Sequence, residues 1–480
     1  MSIVDIFQFP RDDCRRFREG LKILDQADGL TVSEQFSDFL AAIDLEKVPQ
    51  EVRDTAIRDL VDAAGLYLSA RNTDYIGSLL RAVEPGNCTV IGQSAALDAA
   101  GAAFVGGVAI HGEDFDDTLE GAPIRVGAMV LPAVLAAGER YRLSGADVLT
   151  GMIAGLEAVC RLNHVAAGHM HRAGFHPVGV IGALGAAAGV SAALGLDRDR
   201  FAAAFGVAAS FSSGILEYLT DGAWTKRLHP GWAAQSGLRA ALIAREGFFA
   251  PRTVFEGGHN FFKTFAPTAE PDYSHLTQGL GETWYMSRIV FKPYACGTMI
   301  HPYIDCARRL GRDGVRAEEI DRIVCDTGEG LVHRLWEPLA DKQRPPSGYA
   351  AKFSMPFCMA LGFYDDAAGL GEFEDSVVTR PDLLGLAEKI SYRIDPKNPY
   401  PVNYTGDLEV YMKDGRVLRY HQPHMRGGQH EPLSDSDIAE KFFANAAYGG
   451  WSRAQAEDLM TFCQTIDKAA DLADFSAFRH

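Results

Sequence analysis

The sequence predicts a mostly α protein, with a large all-helical domain built from both chain ends and a smaller inserted α+β lid domain. Three observations predict it. Up to about residue 285 the chain carries apolar residues at helical spacing and runs rich in Ala and Gly. Segments with the β-branched character of strands appear only after about residue 286. From about residue 434 to 478 the pattern returns to helical spacing. A helical tail after an α+β unit predicts that the tail packs back on the first domain. Residues 1–287 with 430–480 then form the helical domain, and 288–429 the lid.

Thr31-x-x-Glu34 is a capping box ahead of Phe36, Phe39, Leu40 and Ile43, which share one helical face. Pro49 marks a second helix start, followed by Val52, Ile57, Leu60 and Val61. Ser144-x-x-Asp147 caps a helix with Leu149, Ile153, Leu156 and Cys160 on one side. Helices rich in Ala and Gly are expected at about 89–110, 127–139, 178–195, 202–216 and 232–246. Small side chains let helices approach closely, which favours a compact bundle. In the second unit, 320–326 and 389–394 read as strands, and 408–421 as a hairpin with Asp414-Gly415 as its two-residue turn. Residues 355–361 and 381–386 read as helices between them.

The 480 residues are 47% hydrophobic and 23% charged, which excludes a disordered chain and a coiled-coil rod. The net charge is −17, from 63 acidic and 46 basic residues. That balance argues against nucleic acid, whose binding needs a basic surface to displace counterions, and against an anionic membrane. Cys14, Cys88, Cys160, Cys296, Cys306, Cys325, Cys358 and Cys463 are scattered with no CxxC pair, so neither a structural zinc nor an iron–sulfur cluster is expected. Such thiols fit a reducing cytoplasm, and MSIVDIFQFPRDDCRR has no apolar core of signal-peptide length. Residues 178–196 are 19 uncharged positions, close to membrane-spanning length, but 11 are Ala or Gly and gain little from lipid. Gly182, Gly185 and Gly189 recur at helical spacing as a flat stripe, so a buried helix is expected there.

Five stretches place polar residues among small ones, where burial is costly unless the groups are used. His111-Gly-Glu-Asp-Phe-Asp-Asp-Thr118 is oxygen-rich enough for magnesium or calcium. It does not match an EF-hand, and a helix end with a capped turn explains it as well. His164, His169, His171 and His176 lie close in sequence at spacings that suit no zinc motif, and a solvated loop is expected for the first three. His176 stands directly before Pro177 at the mouth of the apolar helix, where a helix start disfavours the imidazolium. Residues 221–231 are expected to be a loop before a helix from Trp232. Lys226, Arg227 and His229 there make either an anion site or a basic surface. Residues 291–301, with Lys292, Tyr294 and His301, lie at the domain junction, a favoured place for a ligand cleft. Phe353-Ser354-Met355-Pro356 reads as a helix start, because no GxSxG elbow surrounds the serine.

Together these motifs resemble the MmgE/PrpD family over almost the whole chain. The resemblance is carried by PQEVRDTAIRDLVDAAG at 49–65, HGEDFDDT at 111–118, GFHP at 174–177, DGAWTKRLHPGWAA at 221–234, EGGHNFF at 256–262 and FKPYACGTMIHPYIDCA at 291–307. Members of that family include 2-methylcitrate dehydratase, cis-aconitate decarboxylase and iminodisuccinate epimerase. The resemblance implies a homodimer, the two-domain plan above, and no metal or organic cofactor. It carries site roles to Asp114, Thr118, His176, Lys226 and His301. At one position the chain departs: many relatives have a histidine ahead of the segment corresponding to 127–132, where this sequence has Arg125. An arginine does not shuttle protons at neutral pH but clamps carboxylates bidentately, which bears most on the decarboxylase reading.

The substrates of such a family share a carbanion beside a carboxylate. Fixed cations stabilise the enolate-like dianion more than the ground state, and a neutral histidine takes the proton. The resemblance therefore implies a cofactor-independent lyase acting on a small di- or tricarboxylic acid by α-proton abstraction and elimination, like 2-methylcitrate dehydratase. Epimerisation of a dicarboxylate and cis-aconitate-type decarboxylation pass through the same carbanion. A metal-dependent hydrolase and a non-catalytic carboxylate-binding protein are the competing classes. His176, His301, Lys226 and Asp114 are the expected catalytic set, and Thr118, Arg125, Lys292, Tyr294 and His229 the expected substrate contacts. His176 or His301 is the base, the other assists the leaving group or returns the proton, and Asp114 orients a histidine or lysine.

Overall fold

The computed structural model describes residues 29–122 and 124–480; the N-terminal stretch read above, with Cys14, lies outside the described residues. Thr31 caps α1 (Val32–Ala41): its hydroxyl accepts the Glu34 N–H, and the Glu34 carboxylate accepts the Thr31 N–H. The helix α2 (Gln50–Ala70) follows Pro49 and is buried along most of its length. The run expected as one helix at 89–110 divides instead. A short strand, β1 (Pro85–Cys88), bridges to Leu97, and α3 (Ala99–His111) begins only where Asp98 accepts the Gly101 N–H. An Ala-rich run hides such a start, because its composition is the same on both sides of the cap.

β2 (Thr118–Leu119) precedes α4 (Gly127–Tyr141), and α5 (Gly145–Val165) is capped by Ser144. The apolar run is α6 (Pro177–Ala193). Its glycine stripe is a contact surface: a Cβ on Gly185 would lie 2.1 Å from the Val159 side chain on α5, and one on Gly182 2.5 Å from Met129 on α4. Any larger residue would force those helices apart. No described helix is long and apolar enough to cross a membrane. The helix α7 (Arg198–Phe211) stops short of the expected 216, at Ser212, whose hydroxyl donates to the Ala208 and Val180 carbonyls. The helix α8 (Thr225–Arg245) corrects a boundary that matters for the site. Lys226, Arg227 and His229 sit inside its first turns, not in a preceding loop, and Pro230 is inside the helix. A proline there lacks the N–H that would bond the Lys226 carbonyl, so it reads in sequence as a boundary while the helix runs through.

At the junction, β3 (Ile289–Val290) pairs antiparallel with β2, setting Thr118 opposite Val290. The second part of the chain then packs α9 (His301–Arg312) against α10 (Met355–Asp365), with α11 (Pro381–Ala387) beside them. Its four-stranded sheet has the order β5-β4-β6-β7, with β4 (Ile320–Thr327), β5 (Ile390–Ile394), β6 (Gly406–Met412) and β7 (Val417–Gln422). β4 runs parallel to β5 and antiparallel to β6. The β6–β7 hairpin does not turn on two residues. The Gly415 N–H donates to the Met412 carbonyl and Gly415 holds φ +89°, so Lys413-Asp414 form the turn and Gly415 the left-handed bulge after it.

The tail supplies α12 (Asp435–Tyr448) and α13 (Arg453–Gln464), which lie on α2. Lys441 on α12 pairs with Asp62 on α2 at 2.7 Å, and Phe442 fills the space left by Gly65. Arg479 reaches Glu139 on α4 at 2.8 Å, so the chain's last residues close over its first helices.

Candidate active site

The turn after α3 carries Asp114 in a left-handed conformation, φ +56°. A non-glycine residue there is strained, and its surroundings must over-determine it. They do. Arg125 Nη2 and Lys226 Nζ donate to Asp114 Oδ1 at 2.9 and 3.1 Å, and Lys292 Nζ lies 3.4 Å from Oδ2 while donating to the Asp114 carbonyl at 2.5 Å. Arg125 comes from the approach to α4, Lys226 from the first turn of α8 and Lys292 from just after β3. Burial opposes the Asp114 charge, but the three cations outweigh it and hold the carboxyl well below the usual carboxylate range. Lys292 is fully buried: desolvation and Arg125 bring its ammonium down to about 8, against the pull of Asp114 and Asp116. Lys226 moves the other way: burial disfavours its charge, but Asp114 together with Tyr349 and Tyr218 outweighs that cost.

Three histidines stand beside this cluster. His176 is the N-terminal cap of α6, and burial, then the nearby His111 and Lys226, push its imidazole well below the ordinary range. Its Nδ1 meets His229 Nδ1 on α8 at 2.9 Å. His229 is lowered to about 4, again first by burial. The His111 and His176 rings are 5.9 Å apart. His301, at the start of α9, is completely buried, and neither ring nitrogen makes a hydrogen bond among the described residues. Burial and then Lys292 hold it neutral, against a weaker opposite pull from the Cys296 carbonyl. Neutral imidazoles next to fixed cations are the state a general base requires.

Behind them lies a second carboxylate layer. His111 Nδ1 meets Asp116 Oδ2 at 2.7 Å, and Arg125 Nε reaches Asp116 Oδ1 at 3.2 Å. Asp117 accepts the Val126 and Gly127 N–H groups at 2.9 and 3.0 Å, pinning the start of α4. Ligand atoms of His111, Asp114 and Asp116 lie within 4.8 Å of one another. Arg125 bridges the two aspartates and Lys226 and Lys292 crowd the first, so a divalent ion would meet three fixed positive charges. The group is built as an ion-pair network.

The structure thus brings Asp114, Arg125, Lys226 and Lys292 into contact, with His176, His229 and His301 around them. Thr118 is buried alongside, its hydroxyl donating to the Ile124 carbonyl at 3.3 Å. Tyr294 faces elsewhere: its hydroxyl donates to Asp305 and accepts from Arg308, while its ring packs edge-on against His301 at 5.3 Å. Asp114 holds lysines and no histidine; the carboxylate that holds a histidine is Asp116. His164, His169 and His171 are not a solvated loop. His164 ends α5 half-buried against His275 and Tyr285, and the others lie on a short helix, His169–Arg172, apart from the cluster. Ser354 caps α10 by accepting the Phe357 N–H, a structural role. The His111–Asp116 pair escaped the sequence reading although both residues lie in its first polar motif. The i, i+5 spacing across a helix end carries no recognised signal.

A mostly helical chain with cations and neutral histidines gathered where its helical and α+β parts meet has the makings of a carboxylic-acid lyase. Models of the MmgE/PrpD N-terminal and C-terminal domains match residues 34–274 and 294–464, and the chain belongs to the MmgE/PrpD family. It is 30% identical over 387 residues to cis-aconitate decarboxylase of Mus musculus, covering 78% of this chain and 76% of that protein. To the Homo sapiens cis-aconitate decarboxylase it is 28% identical over 436 residues, 87% of this chain and 88% of the other. To that of Aspergillus terreus it is 27% identical over 384 residues, 75% and 78% of the two chains.

Proposed function

We propose that the protein is a cofactor-independent lyase that removes an α-proton from a small di- or tricarboxylic acid and eliminates a β-hydroxyl, in the manner of 2-methylcitrate dehydratase. The observation that supports it is the convergence of Arg125, Lys226 and Lys292 on Asp114 beside histidines held neutral. Arg125 and Lys226 keep part of their surface open, 14% and 17%, whereas Lys292 is closed off at 1%. The first two are therefore the groups that reach a substrate carboxylate, as fork and as point charge. Removing the α-proton builds charge on that carboxylate, where preorganised cations stabilise it more than the ground state. His176 or His301 takes the proton. The other histidine assists the departing hydroxyl, while Lys292, whose ammonium is held by the Asp114 carbonyl and carboxylate and the Cys296 carbonyl, keeps Asp114 in place.

Decarboxylation is the second reading, favoured by the activity named for the relatives. It shares the carbanion but needs a proton returned to carbon, which Arg125 does not supply. Epimerisation needs the same return from the opposite face. The proposed assembly is a homodimer in the cytoplasm. The exposed large apolar residues Ile215, Leu219, Trp232, Phe248 and Phe249, all in the helical part, support covered surface there. The proposed domain division remains 1–287 with 430–480, and 288–429.

The test is incubation in heavy water with a panel of di- and tricarboxylic acids, followed by NMR for deuterium at the α-carbon and for product. We expect exchange and loss of water with one substrate, and a fall of about 100-fold or more in His176→Ala or His301→Ala. Wild-type turnover in both variants would remove the assignment. Tight binding with neither exchange nor product would leave a carboxylate-binding protein.

A further inference from the structure

Four consecutive carbonyls in the Asp114 turn each accept a hydrogen bond from a different buried cation. Arg227 Nε donates to Gly112 at 2.8 Å, Lys352 Nζ to Glu113 at 2.9 Å, Lys292 Nζ to Asp114 at 2.5 Å and Lys441 Nζ to Phe115 at 2.8 Å. The donors come from α8, the lid, the junction and the tail helix α12. A left-handed aspartate at φ +56° does not hold itself in place, so this backbone clamp is what fixes the carboxylate.

Lys352 is the lid's member of the set. Its ammonium also pairs with the Glu113 carboxylate at 2.6 Å, and Glu113 is held in turn by the Tyr75 hydroxyl at 3.2 Å and approached by Arg227 at 3.7 Å. Three residues earlier, Tyr349 lies against the Arg227 guanidinium, which is 4.4 Å from its ring centre and 4.8 Å from that of Tyr75. The Lys352 carbonyl accepts the Gly297 N–H at 2.9 Å, and the Gly297 carbonyl accepts the Ile300 N–H at the entry to His301. One lid residue therefore touches the turn that carries Asp114 with its side chain and the turn that leads to His301 with its backbone.

We propose that Lys352 is a positioning residue that makes the conformation of Asp114 depend on the seating of the lid. When the lid docks, Lys352 closes the Glu113–Asp114 turn, and the three cations on the Asp114 carboxylate come into register. When it lifts, the turn loses an ion pair and a carbonyl bond together, and Asp114 relaxes. The coupling stands on the contacts alone; its value to catalysis rests on the function proposed above.

Hydrogen–deuterium exchange on the full-length protein separates the two. In Lys352→Met we expect amide exchange at 112–116 to rise about tenfold or more while α5 stays protected, with Lys352→Arg restoring protection to within about threefold. Glu113→Gln, which keeps the backbone bond but loses the ion pair, should move the same amides in the same direction by less. It decides the matter if Lys352→Met does not fold. With a substrate in hand, Lys352→Met should lower kcat about tenfold or more while KM changes less than about threefold. Unchanged exchange at 112–116 would overturn the proposal. So would a rise shared equally by α5, the mark of a merely structural lysine. If wild-type protein turns over no carboxylic acid, the functional reading falls, and the exchange experiment still decides the coupling.

Discussion

The Nδ1 atoms of His176 and His229 lie 2.9 Å apart, so a single proton sits between two nitrogens that cannot both donate. Whichever ring holds it fixes the tautomer of the other. If His229 donates, His176 presents a protonated Nε2; if His176 donates, its Nε2 is bare and able to take a proton. His229 thus decides whether the His176 Nε2 is bare and able to act as a base, although it need not touch the reacting atoms. We expect His229→Ala to lower kcat by about tenfold to 100-fold with a smaller change in KM. His229→Asn, which keeps a donor and an acceptor, should retain more activity. Steady-state kinetics of the two variants check this, and equal activity in both and in the wild type would refute it.

Lys292 sets the alkaline side of the pH profile. Its ammonium is brought down to about 8 chiefly by burial, and it must be protonated to counter the Asp114 charge and to donate to the Asp114 and Cys296 carbonyls. Raising pH through about 8 removes that proton, so kcat/KM should fall above this value. His176 and His301 are already neutral well below the ordinary histidine range, so no matching loss should begin near 6.5. In Lys292→Arg the charge persists and the alkaline limb should move up or vanish, at a reduced plateau because a planar guanidinium does not fit the buried place of a compact ammonium. A pH–rate profile of both proteins reads the result directly.

Much of the scaffold was legible because it rests on local chemistry. The Thr31–Glu34 and Ser144–Asp147 caps, the strand at 320–327 and the helical tail all follow from residues a few positions apart. The start of α8 was not, because Pro230 reads as a boundary although the helix runs through it. That error moved Lys226 and His229 off the helix whose turn brings them to Asp114 and His176. The site's cations were visible as residue types; their partners were not. Lys352 meets Glu113 across 239 positions of chain, and no spacing rule spans such a gap. Asp116 and Asp117 looked alike in sequence, yet Arg125 and His111 charge the first, while burial and its neighbour raise the second.

Arg125 bridges Asp114 at 2.9 Å and Asp116 at 3.2 Å, so it is structural as well as open to substrate. Removing one partner of a mostly buried pair leaves an uncompensated charge, and Arg125→Ala should cost about 3–5 kcal/mol of stability. Arg125→His exchanges the permanent charge for a titratable ring. We expect it to fold with a smaller loss, to weaken substrate binding through the lost fork, and to add an acidic limb to the pH profile. Denaturant melts and kinetics of both variants check this. Unaltered binding and rate in Arg125→His would place the guanidinium outside the substrate's reach.

Gly127 brings two further carboxyls together: its N–H donates to Asp117, and a Cβ on it would lie 2.5 Å from Asp59 Oδ2. Burial, then the charge of Asp116, pushes Asp117 up to about 7, and burial with Asp117 raises Asp59 as well. A raised carboxyl holds its proton in the folded protein while the unfolded chain releases it. Stability from such a group is therefore full below about pH 4 and is lost as pH rises towards 7, at about 1.4 kcal/mol per pH unit. Asp59→Asn is close in shape to the protonated acid and removes one of the two competing charges. It should leave stability nearly unchanged at pH 4–5 and raise it by about 1–3 kcal/mol at pH 8. Thermal melts across that range measure the difference, and parallel curves for variant and wild type would show that the two carboxyls do not share a proton.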